Sequence, residues 1–265
     1  MRIAAGVCYD GSRFDGWQSQ PSGNTVQDHL ERSLARIAGS SVRVTAAGRT
    51  DAGVHATGQV FHFDVEVARP EAAWVRGTNA FLPDAIAVQW AVPVDEKFHA
   101  RFSAVARTYR YVLFAHPVRP SVLAPYVGWF HHPLDAAAMG EGARHLVGRH
   151  DFSAFRAAEC QAKSPVRNLH SATIETRGPY IVIELRADAF LHHMVRNIVG
   201  ALVYVGCARQ PPEWIAQLRD GRNRGAGAPT FSPNGLYLAR VEYGPEWTFP
   251  AFAPMMPILP DAASA

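Results

Sequence analysis

Between Arg2 and Tyr9, the residues Ile3, Ala5, Val7 and Tyr9 alternate onto one face, which predicts a strand. Thr25 and Asp28 then form a capping box ahead of an apolar stripe of Val26, Leu30, Leu34, Ile37 and Ala38. Gly39 ends that stripe, so a helix is expected here. Val42 to Thr45 and Gln59 to Val67 read as the next two strands, the second with Phe61, Phe63, Val65 and Val67 sharing a face. Pro70 opens a short helix to about Asn79, and Ala85 to Val94 is a strand carrying Ile86, Val88, Trp90 and Val92.

The same order of elements recurs. Val105 to Phe114 reads as a strand, Leu134 to Val147 as a helix stopped by Gly148, and Val166 to Thr176 and Tyr180 to Ala187 as strands joined through Gly178-Pro179. His192 to Val205 is a helix with Val195, Ile198, Val199, Leu202 and Val203 inward, and Leu236 to Tyr243 is the last strand. Both halves thus read βαββαβ. The expected class is α+β: two ferredoxin-like halves with mainly antiparallel sheets side by side and an active-site cleft between them. The expected division is 1–103, 104–245 and a proline-rich, irregular tail over 246–265. Pro211-Pro212-Glu213 starts an extra helix through Leu218. Pro117 to Pro133 is an extended insertion, and Gly221 to Gly227 a basic, flexible loop carrying Arg222 and Arg224.

A chain of 265 residues with 48% hydrophobic content can build a real core. Its three cysteines, Cys8, Cys160 and Cys207, are far apart and form no Cys-x-x-Cys pair. A disulfide framework or zinc site is therefore not expected, and a reducing cytoplasm suits the chain. The start is too poor in apolar residues for a signal peptide, and Ile198 to Gly206 falls short of a membrane span. Among 26 basic residues only Lys97 and Lys163 are lysines, leaving 24 arginines. Arginine forks onto phosphate and stacks on bases, as an RNA-binding surface would require, although a GC-rich genome produces the same bias.

The richest chemistry lies in Ala47-Gly48-Arg49-Thr50-Asp51-Ala52-Gly53-Val54-His55-Ala56. Gly48, Gly53 and Gly58 let the backbone take positive φ and pass close to a neighbour. A carboxylate beside a fixed cation favours its charged form, so Asp51 reads as an anionic nucleophile more than a proton donor. The plainer reading is a surface loop closed by an Arg–Asp pair. From Arg101 to Tyr111 basic and aromatic side chains interleave, placing Val105, Arg107, Tyr109 and Tyr111 on one face of a strand and Arg110 on the other. Such a face suits a phosphate and a stacked base, or else an ordinary amphipathic strand. Arg196, at the polar end of an apolar helix, needs an anionic partner. Asp51 is the partner expected, with Asp188 or Glu184 as local alternatives. His131-His132 and His192-His193 lack a carboxylate or cysteine at ligand spacing, so no metal is expected. No phosphate-cradling loop or dinucleotide fingerprint appears.

Arg49-Thr50-Asp51-Ala52-Gly53-Val54-His55 resembles the catalytic motif of the tRNA pseudouridine synthase A family. Phe98 to Ala104, Arg107-Thr108-Tyr109-Arg110-Tyr111, His193 to Gly200 and Gly235-Leu236-Tyr237-Leu238 match further blocks in family order, so the resemblance runs from about residue 2 to 243. It implies a cofactor-free isomerase that converts uridines 38, 39 and 40 of the tRNA anticodon stem-loop to pseudouridine, acting as a cytoplasmic homodimer. Asp51 would be catalytic. Arg49 would fill the gap left by the flipped base, and Tyr109 would stack on that base. Arg196 would hold Asp51, and Arg101 would meet a phosphate; that the basic loop around Arg222 and Arg224 also meets phosphates is inferred from its charge and not from the resemblance. Ala56 departs from the family by standing where glycine is common, which should stiffen the loop. Two other classes are a non-catalytic RNA-binding protein of two RRM-like units and a base-excising hydrolase. The first lacks the glycine-aromatic RNP run, and the second lacks a second carboxylate near Asp51 in sequence.

Overall fold

The computed structural model describes residues 1–252, which form two compact units: 1–105 with 237–252, and 106–236. The class is α+β, with mostly antiparallel sheet and few helices.

In the first unit the strand order is β4 (Ile86–Val94), β1 (Arg2–Tyr9), β3 (His55–Asp64) and β10 (Leu236–Tyr243), with β2 (Val44–Ala46) also on β3. β1 runs antiparallel to both its neighbours, whereas β10 lies parallel to β3 through Tyr237↔His55 and Leu238↔Ala56. Helix α1 (Val26–Ala38) forms where the capping box predicts it. The Thr25 hydroxyl accepts from the Asp28 N–H, and Gly39 turns the chain at φ 73°. Its Val26, Leu30 and Leu34 are buried, as are Trp17, Phe61, Phe63 and Trp74. The helix opened by Pro70 is wound as a π turn over Ala73–Gly77.

A second layer forms from Phe98, Ala100, Tyr243, Trp247, Phe249 and Phe252, packed with Ala4, Val60 and Trp90. Trp90 stacks on Phe249 with ring centroids 5.1 Å apart. The tail is therefore irregular in backbone, as expected, yet apolar in its contacts up to 252; its remainder lies outside the described residues. Apolar cover on alternate sides explains why β3 is buried at nearly every position and shows little alternation. It also corrects the expected Gln59–Val67 strand. Pairing with β1 and β10 begins at His55, because sheet partners and not periodicity set that end.

The second unit orders its strands β5 (Ala104–Ala115), β9 (Tyr180–Ala187), β8 (Val166–Arg177) and β7 (Gly148–Asp151), all antiparallel, with β6 (Gly128–Phe130) parallel to β5. β6 and β7 were not expected; three or four residues are too few for a period to show. Gly148, read as a helix stop, begins β7 at φ 112°, and helix α2 ends earlier (Ala136–Arg144). Helix α3 (Met194–Gly206) is buried almost all round, and α4 (Trp214–Gly221) follows. No helix among the described residues is long and apolar enough to cross a membrane.

His62 on β3 is 5% exposed, and its Nδ1 accepts the Ala100 N–H at 3.1 Å. Burial, then the Arg2 and His99 charges, push its pKa down to about 4 against an opposing pull from Asp64. The unfolded chain therefore binds the extra proton first. Stability from this group is complete above pH 6.5 and is lost as pH falls toward 4. The melting temperature should drop across that window. The drop should shrink in His62→Asn, whose Oδ1 can replace Nδ1 as acceptor without titrating; an unchanged pH profile in that variant would contradict the assignment.

Candidate active-site loop and its counterparts

Asp51 sits half-buried at the head of a tight turn, between exposed Arg49 and exposed Ala52. The Asp51 carbonyl accepts the Val54 N–H at 3.1 Å, and Gly53 takes φ 80° at the position that a type II turn gives to glycine. Of the three glycines expected to use positive φ, only Gly53 does so. Gly58 is needed for another reason: a Cβ there would stand 2.2 Å from the Ala239 carbonyl oxygen on β10.

Polar side chains inside the first unit anchor this loop. The amide of Gln59, fully buried on β3, donates from Nε2 to the Gly48 carbonyl at 2.6 Å and accepts the Gly48 N–H at 3.3 Å. Thr50 is buried; its hydroxyl bonds the Tyr9 hydroxyl at 2.8 Å, and its carbonyl accepts the Trp17 N–H at 3.0 Å. Gly16 approaches from the same side, for a Cβ there would be 2.8 Å from the Thr50 oxygen. His55, 2% exposed, accepts the Gly11 N–H at Nδ1 (3.1 Å) and stacks on Tyr237 at 4.7 Å. Gly48 and Thr50 before Asp51, and His55 after it, are thus fixed from within, and the short tip reaches solvent. Sequence reasoning passed over Gln59 and Tyr9. The available signal was a glutamine beside the apolar positions Val60, Phe61 and Phe63 of a strand, where a buried amide must find partners. Ala56 belongs to β3 and is buried against Leu238, so its departure from glycine bears on strand packing and not on loop stiffness.

In the same unit Arg101 lies in an exposed turn, with its guanidinium carbon 5.6 Å from the Phe102 ring. Cys8 offers no competing nucleophile, since burial pushes its thiol up to about 12.

In the second unit Tyr109 is half-buried on β5, its ring edge-on to Phe190 at 5.0 Å. Three other members of the basic-aromatic run, all on β5, are bonded within this unit. Arg107 is buried and donates to the Asp188 carbonyl at 2.8 Å, Tyr111 is buried with its hydroxyl on the Ser232 carbonyl, and Arg110 pairs with Glu184 at 2.5 Å. Arg196 occupies the first turn of α3, where its Nε donates to the Phe231 carbonyl at 2.8 Å. The local alternatives proposed for it are engaged otherwise: Glu184 by Arg110, and the Asp188 carboxylate by the N–H groups of Asn168 and Ala189. Asn197, buried beside it, receives Arg224 at 3.0 Å and Thr230 at 2.7 Å while donating to Phe155. Arg224 is therefore an internal brace rather than a residue of a flexible phosphate-binding loop. Arg222 remains exposed and lies 3.5 Å from Asp151.

Comparison with known proteins agrees with this arrangement of blocks. The family model described as tRNA pseudouridine synthase matches residues 5–103 and 143–244. A protein of Burkholderia thailandensis called tRNA pseudouridine synthase A is 58% identical over 250 residues, covering 94% of this chain and 93% of its own. Its namesake in Burkholderia mallei has the same identity and coverage, and one in Paraburkholderia xenovorans is 56% identical with 94% and 93% covered. Among solved structures, a Cbf5-Nop10-Gar1 complex gives a TM-score of 0.35 at 11% identity, over 89% of this chain and 48% of that one.

Gln59→Leu removes both bonds to Gly48 and leaves two backbone groups without their side-chain partner, at a cost of about 1–3 kcal/mol each if they stay dry. Hydrogen exchange across 47–54 should accelerate at least about tenfold, while β1 and β4 exchange as before. Equal acceleration throughout the unit would mean that Gln59 supports the core and not the loop.

Proposed function

As the chain belongs to the tRNA pseudouridine synthase family, we propose that it isomerises uridines 38, 39 and 40 of the tRNA anticodon stem-loop, with Asp51 as the catalytic group. In this reaction the N1–C1′ bond breaks, the uracil turns, and a C5–C1′ bond forms. C5 loses a proton and N1 gains one, so nothing is oxidised and no cofactor is needed. The observation that carries the reading is the half-buried Asp51 on a turn whose neighbours are clamped from below. A carboxylate held in place needs little reorganisation as charge develops on the sugar or base.

A uridine within a stacked stem must be extruded, at a cost of a few kcal/mol. Arg49, exposed next to Asp51, is assigned to fill the vacated place. Tyr109 is assigned to stack on the flipped base and to help remove the C5 proton; its half-exposed ring leaves surface for that contact. Arg196 is assigned to Asp51 on the family resemblance alone. Arg101 is assigned to a phosphate. A homodimer in the cytoplasm completes the proposal.

Tritium release from tRNA labelled at uridine C5 reads the rejoining step directly. Asp51→Ala and Asp51→Asn should lower release by at least about a thousandfold, while tRNA affinity stays within severalfold, because phosphate contacts dominate binding. Equal loss of binding and turnover would make Asp51 structural. No release by the wild type, together with tight tRNA binding, would favour a binding protein instead. Release confined to uridines outside 38–40 would overturn the positions. Tyr109→Phe should bind normally and turn over at least about tenfold more slowly; full activity would remove the hydroxyl from the mechanism.

A further inference from the structure

Phe102 is the phenylalanine least expected from packing alone: 75% of it is exposed, although the turn that carries it is tied down at almost every residue. The Arg101 and Phe102 N–H groups both donate to His99 Nδ1 at 3.2 Å. The His99 N–H meets the Ser103 hydroxyl at 3.0 Å, and the Ala100 N–H meets His62 Nδ1. From outside the turn, Tyr243 donates to the Ala100 carbonyl and Arg2 to the Phe98 carbonyl, both at 2.8 Å. Burial and the Arg2 charge hold His99 below its ordinary pKa, so its imidazole stays a neutral acceptor. The turn is rigid before any ligand arrives.

A rigid loop that displays a phenyl ring to water forgoes the gain from burying it. The ring already lies against the His99 imidazole, with centroids 4.3 Å apart and planes 32° apart, and the Arg101 guanidinium carbon stands over the ring, 5.6 Å from its centroid. We propose that the 98–103 turn is a nucleotide-binding element of this protein, in which an RNA base extends the His99–Phe102 stack and Arg101 takes the adjoining phosphate. This rests on the reading that the substrate is tRNA. Every base has a π face, so such a platform holds the strand without reading its sequence. A cation beside the ring favours a polyanion over an apolar protein surface, in keeping with a net charge of +3.

The test is the tRNA affinity of Phe102→Trp, Phe102→Tyr, Phe102→Leu and Phe102→Ala at two salt concentrations, with sedimentation of each protein without RNA. The Leu and Ala variants should bind on the order of 10- to 100-fold more weakly, and Trp and Tyr about as well as the wild type. The dependence on salt should be unchanged in all four, since no phosphate contact is lost. Wild-type affinity in Phe102→Leu would overturn the inference. So would a change of oligomeric state in Phe102→Ala with affinity intact, which would assign the ring to a second copy of the chain. A wild type that neither binds nor modifies tRNA would instead overturn the underlying function.

Discussion

The chain places a carboxylate at the edge of a dry interior, and the polar bonds around Gly48 and Thr50 make that possible. β3 is buried at nearly every position, so the loop leading into it must satisfy its backbone with protein groups. Gln59 answers the Gly48 amide on both sides, and Tyr9 and the Trp17 N–H answer Thr50. Each of these groups would cost more unpaired than it gains when paired, so the cluster behaves as a unit. Asp51 follows immediately, with one residue of freedom before Gly53 turns the chain back. The position of the Asp51 carboxylate is thus a consequence of hydrogen bonds made by other residues.

The second unit applies the same principle with different parts. Arg107, Arg110 and Arg224 would each pass for RNA contacts in a list of cations, yet each is held by groups inside the unit. Their bonds fix the backbone around Tyr109 and the first turn of α3. Where an arginine is paired internally, its charge is spent on architecture. Tyr109 in this unit, and Arg49, Arg101 and Phe102 in the first, keep part of their surfaces open to solvent, and the proposed ligand contacts fall among them.

Much of the fold was legible because its signals are local. The Thr25 cap, the stripe from Val26 to Ala38 and the Gly39 stop lie within fifteen residues, and the helix formed within those limits. Strands β1, β8, β9 and β10 read to within one residue of their limits. The start of β3 and the strands β6 and β7 did not, since they exist only through partners distant in sequence. For the candidate site, motif order identified Asp51, Arg49, Tyr109, Arg101 and Arg196 together. It said nothing about which neighbouring arginines and tyrosines were already bonded, because that depends on where Glu184, Asp188 and Ser232 arrive after folding.

By itself the sequence determined the class of fold, the family and the residues of the candidate loop, because those rest on short-range patterning and on residues in a set order. Tertiary structure decided which polar groups would be braces and which would stay open. It made Gln59 a clasp and Arg224 an internal tie, and it left the Phe102 ring exposed. The reason is physical: a charge, an amide or a ring has the same composition in the chain wherever it sits, and its role follows from the partners and the water around it once the backbone has closed.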